Sequence, residues 1–201
     1  MGTVTNLRVR DLDLAKRCCA GERDAQRDLF QREKRRVHAT LYRILGSNAD
    51  MEDLVQEAFL EIFKTLSRFR GEASLGTWID RIVVRVAYAH IARRKPPQVS
   101  LAVVPDLTAH EASAEDRVMN RETARRLYLL LDRIEPRQRI AYLLHVVDGK
   151  PIADIARAME ASAVLTRVRI WRASRALRAM ARRDSLLKGF VAAAEAMGTR
   201  G

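Results

Sequence analysis

The chain has 201 residues, 37 Lys and Arg against 25 Asp and Glu, a formal net charge of +12, and 48% hydrophobic residues. That much apolar material excludes a disordered basic tail and suffices for one large domain or two small ones. The surplus of cations points to nucleic acid, where clustered Lys and Arg release counterions, ahead of a membrane surface.

In chain order, the start "MGTVTNLRVRDLD" lacks the apolar centre of a signal peptide. No apolar run reaches the ~18 residues of a spanning helix, so a soluble, intracellular chain without membrane insertion is expected. Apolar spacing is helical nearly throughout, and no stretch shows convincing strand alternation, so the fold class expected is all-α. A short helix near 11–20 ends at Gly21, and a longer one over about 22–45 stops at Gly46. The only cysteines, Cys18 and Cys19, are neighbours, which disfavours a structural disulfide and suits two small apolar positions on the first helix.

The next helix begins at "DMEDLVQEAFLEIF". Met51, Leu54, Val55, Ala58, Phe59, Ile62, Phe63 and Leu66 form one apolar stripe. Asp53, Glu57 and Glu61 align opposite it at i, i+4 and i+8, and residues 50–63 contain no Lys or Arg. Like charges in that register destabilise an isolated helix, so something outside the helix is expected to hold them there. A metal is not expected, because carboxylate bundles use a Glu-x-x-His pair and the four histidines, 38, 90, 110 and 145, are scattered.

"RFRGEASLGT", residues 68–77, reads as a loop, with Thr77 as the expected N-cap of the helix that follows. That helix carries Arg81, Arg85, Arg93, Arg94 and Lys95 with no acid after residue 80. Arg81 and Arg85 share a face beside Tyr88, a pairing of cations and ring that suits single-stranded bases or duplex phosphate. Trp78 has a spacing with Ile82 and Val86 that reads as core. Residues 96–116 open on Pro-Pro and hold Asp106, Glu111, Glu115 and Asp116 but no Lys or Arg, an acidic, flexible linker.

A second helical domain starts around Arg117, with helices at 136–147, over "IADIARAM", and from about 163 to 182. Two helices around a tight turn at "EAS", the second very basic, form a helix-turn-helix pattern. Seven arginines and no acid between 162 and 183 favour DNA over a merely solvated face, since Arg forks onto phosphate or guanine edges. Trp171 among them fits either DNA contact or a core or rim position. There is no nucleophile motif and no glycine-rich phosphate loop, so no catalytic residue and no cofactor is expected.

The segment "NADMEDLVQEAFLEIFKTLSRFRGEASLGTWIDRIVVRVAYAHIARRK" resembles region two of bacterial RNA polymerase sigma factors of the extracytoplasmic-function group, in the sigma-70 family. "IEPRQRIAYLLHVVDGKPIADIARAMEASAVLTRVRIWRASRAL" resembles their region four. The resemblance implies region two over 10–95, the linker over 96–116, region four over 117–182, and a tail over 183–201 with no assigned role. It implies core RNA polymerase and promoter DNA as partners, an anti-sigma factor that holds the chain inactive, and a monomer when free.

Residue by residue, it implies core polymerase contacts at Asp53, Gln56 and Glu57. It implies contacts to the melted −10 element at Phe69, Ser74, Arg81, Ile82 and Arg85. The −35 element would be read by Arg167, Val168, Trp171 and Arg172, with His145 reaching the DNA backbone. The chain departs from the family at Arg85 (often Asn), Gly76 (often aromatic or polar), Pro151 (usually Ser), Glu160 (usually Gly) and Thr166 (usually Val). A free-standing helix-turn-helix regulator is the alternative, but it would need neither the acidic helix nor the −10-type loop.

Overall fold

A computed structural model describes residues 2–93, 114–184, 187 and 188. Among them are eight α-helices and no strand: α1 (Gly2–Cys19), α2 (Arg23–Leu45), α3 (Met51–Thr65), α4 (Leu75–Arg93), α5 (Ala114–Leu131), α6 (Pro136–Val146), α7 (Ile152–Ala158) and α8 (Ala163–Ala181). Arg94, Lys95, most of the acidic linker and nearly all of the tail lie outside the described residues.

The first helix begins about nine residues earlier than expected, because no proline or internal glycine interrupts residues 3–19. Gly46 closes α2 in the left-handed conformation, φ 69°, and its N–H donates to the Tyr42 carbonyl. In α3, Met51, Leu54, Val55, Ala58, Phe59 and Ile62 are buried against α2 and α4, as the stripe requires.

The expected cap of α4 is wrong by three residues. Ser74, not Thr77, is the capping side chain: its hydroxyl accepts from the Thr77 N–H at 3.1 Å. The helix starts at Leu75 because Asp11 of α1, itself buried, accepts the Leu75 N–H at 2.8 Å. Two carboxylate and hydroxyl acceptors thus satisfy donors that the first turn leaves unpaired. Ser74→Ala is expected to lower stability by about 1 kcal/mol in urea unfolding, and Thr77→Ala by less.

The family departure at Gly76 has a local cause. A Cβ there would lie 1.8 Å from Arg36 Nη1, and Arg36 Nη2 donates to the Gly76 carbonyl at 2.8 Å. Arg36 belongs to a polar chain under the start of α4 in which the carboxylates are buried and the arginines partly exposed. Arg32 joins Asp11 (3.0 Å) to Glu33 (3.0 Å), and Arg36 joins Glu33 (3.4 Å) to Asp80 (2.7 Å).

The second half has its own core of Tyr128, Leu131, Ile134, Tyr142, Leu143, Ala173 and Leu177. It is not held at arm's length by the linker. Ile140, Ala141, Leu144, Ile155 and Ala158 join the same buried cluster as α2, α3 and α4. Burying each large aliphatic side chain contributes about 1.5–3 kcal/mol, so this seam is a substantial contact.

Polar groups finish the seam. Arg139 is 2% exposed; it donates to the carbonyls of Ile44 (2.9 and 3.2 Å) and Leu45 (3.1 Å) and pairs with Asp132. Those carbonyls end α2 and have no partner within the helix. The Tyr128 hydroxyl donates to the Arg43 carbonyl at 2.6 Å, while its ring lies where a Cβ on Gly46 would come within 2.2 Å. Burial pushes the Tyr128 phenol up to about 12, so it stays a donor. Lys150 reaches Asp80 at 2.7 Å, and Asp148, whose carboxyl is raised by burial, pairs with Arg43.

Candidate functional site

The helices present three surfaces. The first is the outer face of α3. Asp53 and Gln56 are exposed, and Glu57 is half-buried beneath a long contact of 3.5 Å from Arg93. Leu60 on the same helix is 63% exposed. Beside this face runs a groove of about 880 Å³ whose lining includes Phe30, Met51, Val55, Phe59 and Phe63. Carboxylates beside an apolar groove suit a partner helix that brings Arg or Lys along with apolar side chains.

The second surface is the loop before α4 and the helix itself. The sequence places Phe69 and Ile82 here as base contacts, but both are buried, 8% and 7% exposed. Phe69 meets Trp78 edge-on at 5.8 Å, and Ile82 packs into the core on the inward side of α4. Beside them lies a small cavity of about 110 Å³, lined among others by Phe69, Trp78, Arg70 and Arg81. Ser74 is exposed, with its oxygen committed to capping.

Arg81 and Arg85 do share a face with Tyr88, as expected, and that face is turned to the second half. Arg81 Nε donates to the Arg157 carbonyl at 3.0 Å, and Arg85 Nη2 pairs with Glu160 at 2.9 Å. Arg137 of α6 stacks over Tyr88 at 5.1 Å.

The third surface is α8. Ser162 caps it, accepting from the Leu165 N–H at 3.1 Å. Arg167 and Arg172 are exposed and Val168 is partly so. Trp171 is 58% exposed under the Arg175 guanidinium, which removes the core alternative for this tryptophan. Thr166 on the inner face is fully buried, and its hydroxyl donates to the Ser162 carbonyl at 3.0 Å, so a polar group replaces Val without an unmet hydrogen bond. His145 is half-buried on α6 with Nδ1 3.2 Å from the Lys150 carbonyl; it braces the α6–α7 loop.

Residues that the sequence reading passed over are Asp11, Glu33, Arg36, Asp80, Arg139 and Lys150, which fix the start of α4 and its neighbour across the seam. Glu33 had a legible signal: it falls between Leu29 and Val37 at four-residue steps, on the inner face of α2.

Comparison with known proteins gives two family matches in order. Residues 29–96 match Sigma-70 region 2, and residues 124–177 match Sigma-70 region 4. An ECF RNA polymerase sigma-E factor of Haemophilus influenzae is 28% identical over 172 residues, covering 81% of this chain and 90% of that one. Among solved structures, CnrH in complex with the cytosolic domain of CnrY superimposes with a TM-score of 0.62 at 19% identity, covering 87% of this chain and 99% of that one. The sigma factor RpoE of Bartonella quintana, solved with the anti-sigma factor NepR, gives a TM-score of 0.56 at 17% identity, covering 79% and 97%.

Proposed function

Because this chain belongs to the sigma-70 family of bacterial RNA polymerase sigma factors, in its extracytoplasmic-function group, we propose that its three surfaces divide the work of transcription initiation. As a sigma factor it directs core RNA polymerase to promoters and promotes DNA opening. On this reading, Asp53, Gln56 and Glu57 dock α3 on core polymerase. Arg81 and Arg85, with the cavity beside Phe69, serve the melted −10 element. Arg167, Val168, Trp171 and Arg172 read the −35 element in the major groove.

The carrying observation is the segregation of charge: an exposed carboxylate face on α3 in a chain of net charge +12 whose α8 bears arginines alone among charged groups. DNA repels the first face and attracts the second, so the two need different partners. A free-standing regulator would leave Asp53 and Glu57 without use. The chain is proposed to act in the cytoplasm, as a monomer when free, without a cofactor or catalytic step of its own. An anti-sigma protein is its proposed restraint, since RpoE was captured with one.

Gel filtration with purified core polymerase, followed by transcription over a promoter library, tests this reading. Co-elution and promoter-dependent transcripts are expected. DNA binding without either would favour the free-standing regulator.

The placement of α8 adds a finer expectation. Arg172→Ala should cost about 1–3 kcal/mol on the matching −35 site and relax its specificity. Arg178, exposed two turns further along, should weaken binding to all sequences alike when replaced by Ala. Competition binding with specific and scrambled duplexes separates the two; equal effects of both changes would overturn the assignment.

A further inference from the structure

Where α4, α6, the end of α7 and the start of α8 meet, the seam leaves a cavity of about 370 Å³. Its lining includes four arginines from three helices, Arg81 and Arg85 of α4, Arg137 of α6 and Arg169 of α8. Glu160 is the single carboxylate among the lining residues. Four cations against one anion leave three positive charges around a space that a small molecule can enter.

These arginines have donors to spare. Each guanidinium carries five N–H groups and no acceptor. Arg81 uses Nε on the Arg157 carbonyl at 3.0 Å, and Arg85 uses Nη2 on Glu160 at 2.9 Å. Arg137 lies over the Tyr88 ring at 5.1 Å. Arg169 Nη1 is out of contact with solvent and has no acceptor among the described residues. A buried donor left unsatisfied is a standing cost, and a larger one when the group is charged. Arg169 also lies on the opposite side of α8 from the exposed Arg167 and Trp171, so it is not part of the stripe offered to the −35 element.

We propose that this cavity binds a polyphosphate, an anion of two or more linked phosphoryl groups, either free or carried by a nucleoside. The planar guanidinium fork matches phosphate oxygens two at a time. Linked phosphoryl groups supply oxygens in enough directions to meet cations that arrive from three helices, which one small monoanion cannot. The volume falls within the roughly 300–1,000 Å³ usual for ligand pockets. It leaves room beside the phosphates for a sugar and base against Ile140 and Met159.

Glu160 is the internal competitor. It holds Arg85 from a turn residue at φ 50°, in the left-handed region that glycine enters without strain. Arg85 and Glu160 are 65% and 60% exposed, so a phosphate can exchange for the carboxylate at little cost. A ligand gripped from both halves binds only while they are docked, so by mass action its concentration sets how firmly they hold together. The assignment stands apart from the sigma factor reading, because its test needs neither polymerase nor promoter.

Isothermal titration calorimetry of the full chain with inorganic pyrophosphate, GDP and orthophosphate, in metal-free buffer at fixed ionic strength, tests it. Pyrophosphate should bind one to one, about tenfold or more tighter than orthophosphate, and should raise the melting temperature. Arg137→Gln and Arg169→Gln should each weaken it about tenfold, since each removes a charged hydrogen-bonding partner. Arg35→Gln, at an exposed arginine of α2 that does not line the cavity, is the charge control and should change nothing. Glu160→Gln should tighten binding about 2- to 5-fold, a gain that no folding defect imitates.

GDP binding more tightly than pyrophosphate would assign the phosphates to a nucleotide, and equal or weaker binding to the free anion; both support the site. Pyrophosphate and GDP that bind no better than orthophosphate overturn it. Tight binding that is indifferent to Arg137→Gln, Arg169→Gln and Glu160→Gln overturns it too, because the anion then sits elsewhere. A short single-stranded DNA whose binding depends on Arg137 and Arg169, with no binding of pyrophosphate, would give the cavity to DNA instead.

Discussion

The double reversal Asp53→Lys, Glu57→Lys is expected to abolish co-elution with core RNA polymerase and to leave the fold intact. Asp53 is exposed, and the contact of Glu57 with Arg93, at 3.5 Å, lies at the outer limit of a hydrogen bond. Neither side chain supports the core, which lies on the Leu54–Ala58–Ile62 side of α3. The stability change should stay within the ±0.5 kcal/mol usual for surface positions. The docking effect is large because two carboxylates become two cations, and like charges brought together at an interface cost several kcal/mol. A loss of about 4 kcal/mol lowers affinity roughly a thousandfold. Gel filtration reads the complex, and urea unfolding checks the fold. Co-elution retained by a folded double variant would remove α3 as the docking face.

Arg139→Leu is expected to cause the largest loss of stability, about 3–5 kcal/mol, because it leaves carbonyl groups and a carboxylate in the seam without their cation. The guanidinium donates three hydrogen bonds to the carbonyls of Ile44 and Leu45 and holds Asp132. A loss of that size is a large share of the 5–15 kcal/mol that typically separates folded from unfolded domains. Arg139→Lys should recover only part of it, since a point-like ammonium cannot reproduce the planar fork. Urea unfolding of the full chain measures both. A loss under 1 kcal/mol for the Leu variant would mean that water satisfies the α2 carbonyls equally well once the halves part.

Much of this architecture was legible in the residues. Apolar spacing located α2, α3, α6 and α8 to within a residue or two, and the acid-only stretch 50–63 with the arginine-only helix pointed to two unlike partners. What stayed hidden in the sequence shares a cause. Ser74 and Thr77 are both competent caps, and the choice between them is made by Asp11, more than sixty residues away in sequence. Arg139, Asp80 and Lys150 draw no reading from the sequence, because nothing local shows that each meets a partner from the other half. Phe69 and Ile82 fit the family pattern by position, yet their exposure is decided by how α4 packs. Local periodicity sees a helix face; it does not see which distant group has been sent to meet it.

The seat that Gly46 offers Tyr128 has a consequence for the protein at birth. The receiving half ends at α4, while Arg139 follows Ile44 by 95 residues. At a synthesis rate of about 5–20 residues per second, roughly 5 to 20 seconds pass between those two points. During that interval the end of α2 stands open to water, and Arg85 of α4, once made, waits 75 residues for Glu160, on a ribosome made largely of polyanion. The newborn chain is therefore most exposed to the wrong nucleic acid before its own second half arrives, and truncation before α6 would make that brief condition permanent.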